Sequence, residues 1–341
     1  MKSLLTLLLL SFITFSYGQQ FTIHPMPSGT FTVVELRYKN GIAIDSGNNY
    51  WVAFDRVGLG KYDGSSWTMY DTINGLLPSQ KVTDVIIDNQ NRILASTGKG
   101  LSIYDGTTWQ HFNNSNSPLP IGGATTVTSS GNIIWVGTNS GIYNYDGTNW
   151  TSYTVSTSGL VSDSITGIAV GNNGSVWIGT KHGISKFFNT SWNNYSSSNT
   201  SLSNDNIKSI KADSANVAWI INATSNCYTL NNTATDFIAL SEILPAPLNG
   251  CSTWNSLVFS ELAENNGSIY VIKDNPNPVP STAESNSILL QITADHKFKY
   301  TGAEHGLTSA TTLLQIDYRN GKFADIGFYI QSTQPSFYIA S

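Results

Sequence analysis

Five residues fall at matching points of this sequence and offer its best prospect of chemistry: Arg56, Lys99, Asn139 and the pair Lys181–His182. Each stands in a glycine-bearing loop between two β-rich runs. Loops that converge would make a mildly basic mouth that favours an anionic ligand; ordinary solvated loop side chains are the competing reading. A second set recurs more strictly, in Tyr62–Trp67 (YDGSSW), Tyr104–Trp109 (YDGTTW) and Tyr145–Trp150 (YDGTNW). Its aspartates, Asp63, Asp105 and Asp146, would suit calcium if gathered. Each stands alone in a tight turn, where aspartate serves turn geometry. No serine nucleophile elbow, glycine-rich phosphate loop or zinc spacing is present. The reading therefore assigns no catalytic residue, no metal and no cofactor.

The cysteines are Cys227 and Cys251. An oxidising compartment allows them to pair; two buried free thiols are the alternative. A metal site needs more ligands, and none of His24, His111, His182, His296 and His305 lies beside either cysteine in sequence.

The elements that must position these residues follow from spacing. Trp67, Trp109, Trp150 and Trp192 are 42, 41 and 42 residues apart, and Trp51, Leu94, Trp135, Trp177 and Trp219 run at 43, 41, 42 and 42. Two series with one period mark repeated supersecondary units. From Ile165 to Tyr195 the unit reads as four strands: an alternating run to Val170, Val176 to Gly179, Ile184 to Phe188, and a last strand near Trp192. In three copies the Asp-Gly pair closes the last hairpin, which suits a type I′ turn. Four antiparallel strands per repeat predict an all-β fold, a seven-bladed β-propeller. The blades begin near Ile42, Val82, Thr125, Ile165, Ile207, Trp254 and Thr311, the last three degenerate. The seventh supplies three strands, and Phe21–Pro25 resembles a fourth strand that would close the ring and hide its edges.

Only 11% of residues are charged and another 11% are aromatic, which suits an exported β protein and argues against disorder. The net charge of -5 without a basic cluster excludes nucleic acid. The opening MKSLLTLLLLSFITFSYGQQ has the form of a secretory signal peptide, residues 1–18, cleaved after Gly18. Residues 19–341 are expected to form one soluble, monomeric domain with no membrane span, in the periplasm, secreted or at the cell surface.

Val176–Thr180 with Gly183–Ile184, and the linker Gly159–Ile165, resemble two-component regulator propeller repeats, and related linkers stand at Gly75–Ser79 and Gly306–Ser309. The resemblance is specific from about residue 42 to 211. It implies a propeller of the kind that Bacteroidota use as periplasmic sensors of hybrid histidine kinases and in stand-alone exported proteins. No β-sandwich, membrane helix or kinase follows the last repeat, so a stand-alone module is expected. Asp71–Ile73, Asp163–Ile165 and Asp213–Ala215 resemble that phylum's O-glycosylation triplets, at a length that chance explains.

Two enzyme classes compete. A sialidase would carry S-x-D-x-G-x-x-W boxes, whereas here Asp and Gly are adjacent and the leading serine is absent. Its arginine triad would have to come from Arg37, Arg56, Arg92 and Arg319. A propeller lyase needs a histidine base with carboxylate support, for which His182 and His305 with Glu304 are the candidates. The proline-rich stretch Asn275–Pro280 breaks the pseudo-symmetry between the second and third strands of the sixth blade, as a recognition loop or as a tolerated surface insertion. The reading is a non-enzymatic binding or scaffold propeller that recognises a glycan or an envelope protein; the alternative is a lyase or hydrolase.

Overall fold

The computed structural model describes residues 21–24, 41–213, 215–224, 227–230, 236–239, 258–265, 268–274, 287–292, 298–301, 311–319, 322–329 and 335–340. Every element there is a β-strand. An N-terminal strand, β1 (Phe21–His24), precedes the first sheet, β2 (Ile42–Ile44), β3 (Tyr50–Phe54), β4 (Gly58–Tyr62) and β5 (Trp67–Tyr70). The second is β6 (Val82–Ile87), β7 (Ile93–Thr97), β8 (Gly100–Tyr104) and β9 (Trp109–Phe112). The third is β10 (Thr126–Ser130), β11 (Ile133–Thr138), β12 (Gly141–Tyr145) and β13 (Trp150–Tyr153). The fourth is β14 (Ile165–Val170), β15 (Val176–Thr180), β16 (Gly183–Phe188) and β17 (Ser191–Tyr195). The fifth is β18 (Ile207–Ala212), β19 (Ala218–Asn222), β20 (Cys227–Leu230) and β21 (Ile238–Ala239). The sixth is β22 (Val258–Asn265), β23 (Ser268–Asp274), β24 (Ser287–Ile292) and β25 (Phe298–Thr301). The seventh group is β26 (Thr311–Arg319), β27 (Lys322–Tyr329) and β28 (Pro335–Ala340).

The described strands fall into seven four-stranded antiparallel sheets, the last in the order β1-β28-β27-β26. The N-terminal strand thus supplies the fourth place there, with Phe21 opposite Ala340 and His24 opposite Phe337. At the other side of that sheet, β2 lies beside β26 and β27.

The inner strands are bent in a repeated way. A register shift falls between Val82 and Asp84, Ile165 and Gly167, and Ile207 and Ser209, and again in β22 and β26. Such bulges re-aim a side chain. Thr83, the extra residue of β6, donates its hydroxyl to the Ala124 carbonyl at 3.0 Å, and Thr125 donates to Ile165 O at 3.0 Å. Each bond ties one sheet to the next. Beside it, Asp84 is fully buried; its Oδ2 accepts from Thr126 Oγ1 at 2.7 Å and from the Val127 amide at 2.9 Å. Among the described residues its Oδ1 has no hydrogen-bond partner. Burial pushes this carboxyl up to about 7, against the two donors and the charge of Lys211.

The tryptophan series explain the seams. Trp51 stacks on Tyr70 of its own sheet at 5.4 Å and reaches Tyr104 of the next at 6.1 Å. Phe112 then meets Tyr145 and Trp150, Tyr153 meets Phe187 and Trp192, and Tyr195 meets Phe237. Trp51, Trp177 and Trp219 are almost wholly enclosed. Burying an indole of roughly 200 Å² is worth about 5 kcal/mol gross at ~25 cal/mol per Å². The period of about 42 residues is the distance between equivalent seams.

The Asp-Gly hairpins differ from the expected two-residue turn. Tyr62 pairs with Trp67, Tyr104 with Trp109 and Tyr145 with Trp150, so each loop holds four residues. Only the glycine takes a positive φ, 97°, 99° and 99° at Gly64, Gly106 and Gly147. The aspartate keeps a negative φ because its Oδ1 accepts the amides two and three residues on, as in Asp105 to Thr107 N at 2.8 Å and Thr108 N at 2.7 Å. The two-residue turn with both φ positive occurs in the fourth sheet instead, at Asn189 and Thr190, between the paired Phe188 and Ser191.

Candidate functional site

Antiparallel alternation sends the turns between second and third strands to one end of every sheet, together with the linkers to the next sheet. The predicted residues lie there. Arg56 is in the β3–β4 turn, Lys99 in β7–β8, Asn139 in β11–β12, and Lys181 and His182 in β15–β16, all exposed. The turns belong to four consecutive sheets; the first holds three residues between the paired Phe54 and Gly58, and the other three hold two each.

The two-residue turns share one cause for their shape. Thr97, Thr138 and Thr180 end the second strands and are fully buried. Their Oγ1 atoms accept the amides of Lys99 at 3.2 Å, Ser140 at 2.9 Å and His182 at 3.0 Å. The glycine that follows, Gly100, Gly141 or Gly183, has φ of 134°, 114° or 118°. At Gly183 a Cβ would lie 2.5 Å from the Tyr195 carbonyl oxygen, so the neighbouring strand passes too close for any side chain. The residue before the glycine is therefore turned to solvent.

The linkers are sewn to these turns. Gly98 N donates to Lys81 O at 2.9 Å, Gly141 N to Asp163 O at 2.9 Å, and Gly183 N to Asp205 O at 2.8 Å. This brings Lys81, exposed on the linker into the second sheet, to the same end. Sequence reasoning missed it because it falls outside the turn series; its place one residue before β6 was the available clue. His182 is joined to the linker by a bond of 3.2 Å between its Nδ1 and Ser162 Oγ. Exposed Arg56 has its Nε 4.0 Å from Oδ2 of the half-buried Asp55, a long pair of little energetic weight.

The other end carries acids. Asp63, Asp105 and Asp146 are exposed there, each held below the usual carboxylate range by its own turn donors, with the backbone bonds to Ser66, Thr108 and Asn149 leading. They stand in three different sheets. Among the described residues no three His, Cys, Asp or Glu side chains come together as a metal would need.

Cys227 is buried on β20, and burial pushes its thiol far up. Its candidate partner Cys251, together with Glu304, His305 and the 275–280 insertion, lies outside the described residues. Among the described residues no helix is long and apolar enough to cross a membrane.

The two component regulator propeller family matches residues 159–182, the linker into the fourth sheet through its His182 turn. No curated protein matches the chain in sequence. In structure the chain is similar to the extracellular domain of a hybrid two component system from B. thetaiotaomicron, at 16% identity and TM-score 0.65 over 94% of this chain and 41% of that one. The chain thus spans about two fifths of that domain's length. It is also similar to virginiamycin B lyase from Staphylococcus aureus, at 11% identity and TM-score 0.62, covering 94% of this chain and 100% of the other. A third similar structure is PorZ, a surface component of the type-IX secretion system of Porphyromonas gingivalis, at 10% identity, TM-score 0.58, 91% of this chain and 38% of that one. These identities show the shared propeller fold. With the match at 159–182, the chain is a β-propeller that carries a two component regulator propeller repeat.

Proposed function

We propose that the protein is an exported binding or scaffold propeller whose mouth, at Arg56, Lys99, Asn139, Lys181 and His182, receives a glycan or an envelope protein. The observation that carries this reading is the exposed presentation of cationic side chains from corresponding turns of the first, second and fourth sheets at one end. Asp55, Asp71, Asp163 and Asp205 stand on turns and linkers of the same end, so the cations offer local contacts rather than a net charge for the whole end. Aliphatic side chains on the linkers of the same end suit a protein partner: Ile73, Ile121 and Val155 are 84%, 83% and 50% exposed. Export rests on the signal-like residues 1–18, with residues 19–341 as one domain in the periplasm or at the surface. Pairing of Cys227 with Cys251 belongs to the same reading and is checked by mass with and without reductant.

A lyase or hydrolase is the second reading, favoured by His182, whose Nδ1 is oriented by Ser162 Oγ while the ring stays exposed. The two separate on one variant. His182→Ala abolishes turnover in an enzyme and only shifts affinity in a binder.

The test is a thermal-shift screen of the chain from Gln19 against envelope glycans, host glycans, nucleotides and divalent metals. A ligand at about a hundred times its Kd adds about 2.7 kcal/mol. A shift lost in Lys99→Glu/Lys181→Glu supports the mouth. A shift that ignores these changes refutes it, and silence across the panel directs the search to protein capture with those variants as the control.

A further inference from the structure

We propose that a groove between the second and third sheets, at the end opposite the mouth, binds a neutral sugar ring. The site comes from a break in the tryptophan series. In the first and fifth sheets a buried aspartate accepts the indole N–H six residues on: Asp45 from Trp51 and Asp213 from Trp219, both at 2.9 Å. The second sheet keeps the aspartate, Asp88, but has Leu94 at the tryptophan position. Asp88 Oδ2 holds Arg92 instead, from Nε and Nη2, both at 2.7 Å. Tyr104 has the Trp51 ring at 6.1 Å, whereas its counterpart Tyr145 packs in one cluster with Leu94, a smaller side chain.

The clasp between neighbouring turns is altered at the same place. Asn91 Oδ1 accepts the Ser46 amide at 2.9 Å between the first and second sheets, and Asn216 Oδ1 accepts the Asn173 amide at 2.9 Å between the fourth and fifth. Between the second and third, Asn132 Oδ1 accepts the longer Gln90 side chain, Nε2 at 3.1 Å. The reason is a shorter turn: Ser130 pairs with Ile133 across two residues, whereas Ile87 pairs with Ile93 across five. Beside the Arg92–Asp88 pair and the shortened turn lies a cavity of about 240 Å³ over Ile134, walled by Gln90, Arg92, Asn132, Tyr145, Asp146 and Gly147.

The wall chemistry selects the ligand. The volume is below the roughly 300 Å³ at which drug-sized pockets begin, which suits a single ring. The Tyr145 ring offers an apolar wall. Gln90 and Asn132 amides both donate and accept, as sugar hydroxyls do. The Arg92 charge is already matched by Asp88, and Asp146 adds a further carboxylate, so the walls repel anions. The mouth plays no part in this site, and the proposal stands without it.

The experiment is saturation-transfer NMR on the whole chain with glucose, galactose, mannose and N-acetylglucosamine, and with glucuronate as the anionic arm. Two variants accompany it: Leu94→Trp, which restores the indole of the other seams, and Gln90→Ala/Asn132→Ala, whose exposed changes leave the fold intact as judged by melting. The expected result is transfer from at least one neutral sugar, weakened about tenfold or more in both variants, with glucuronate weaker than glucose. No transfer from any neutral sugar, transfer that survives in the alanine variant, or stronger binding of glucuronate overturns the proposal.

Discussion

The two ends of the molecule are made by the same repeat and expose different residues from their turns. At one end the turns between second and third strands expose Arg56, Lys99, Lys181 and His182; at the other, the hairpins between third and fourth strands expose Asp63, Asp105 and Asp146. The repeat sets the position of each turn. The residue type then depends on what the local backbone demands. At the hairpins the carboxylate is consumed by its own amides, whereas in three of the mouth turns a buried threonine caps the turn and leaves the next side chains to solvent. Recurrence alone therefore does not mark a ligand site, since the most regular residues are the ones committed to turn geometry.

The strongest test of the frame that holds both ends apart concerns β1. Deleting residues 19–30 removes the strand paired with β28, and a closed ring then loses cooperativity as a whole. The expected outcome is a collapse of the melting transition; a truncation that melts like the full chain would show that the ring does not depend on this pairing. Next comes the seam between the ends. Trp177→Ala, at a fully enclosed position, should lose about 3 to 5 kcal/mol in denaturant unfolding, with a loss under about 1 kcal/mol contradicting the packing account.

The two ends separate directly on their glycines. Gly183→Ala at the mouth meets the Tyr195 carbonyl, whereas Gly147→Ala at a hairpin, with φ of 99°, meets nothing within 4 Å. The first is expected to lose about 3 kcal/mol and the second about 1 kcal/mol from backbone conformation alone. Equal losses would mean that close strand approach does not shape the mouth.

Acidity sharpens the comparison further. Asp84 titrates near 7 when folded against 3.8 when unfolded, so the folded chain holds its proton more tightly. The stability this contributes is complete below 3.8 and is lost as pH rises through about 7. The hairpin aspartates have the opposite sign: their lowered values favour folding above 3.8 and lose that effect as pH falls. Asp84→Asn should flatten the neutral side of the stability–pH curve and leave the acid side unchanged, as urea midpoints across pH would report. The smallest effect is expected from Lys99→Glu/Lys181→Glu. Both residues are exposed, so stability should stay within about 0.5 kcal/mol while ligand-induced shifts disappear.

Much of the frame was legible because a strand period and a tryptophan period are both one-dimensional. Five inner strands start where expected, at Ile42, Val82, Ile165, Ile207 and Thr311; β10 starts one residue late, and the expected start at Trp254 lies outside the described residues. The hairpin type was misread, since Asp-Gly is compatible with two-residue and four-residue loops, and pairing of Tyr62 with Trp67 is decided across the sheet. Lys81 was missed because a linker has no period to reveal it. The break at Leu94 was visible, but not that Asp88 would take Arg92 in place of an indole beside the groove.

By itself the sequence determined the repeated four-stranded unit, the turns that face each end and the candidate cations, because alternation, turn chemistry and spacing act within a few dozen residues. Tertiary structure alone decided which side chains meet across seams: the Asp84 bonds to the third sheet, the Ser162–His182 contact and the groove beside Arg92. The physical reason is that a partner 20 to 43 positions away is set by how neighbouring sheets stack, and no local preference encodes that distance.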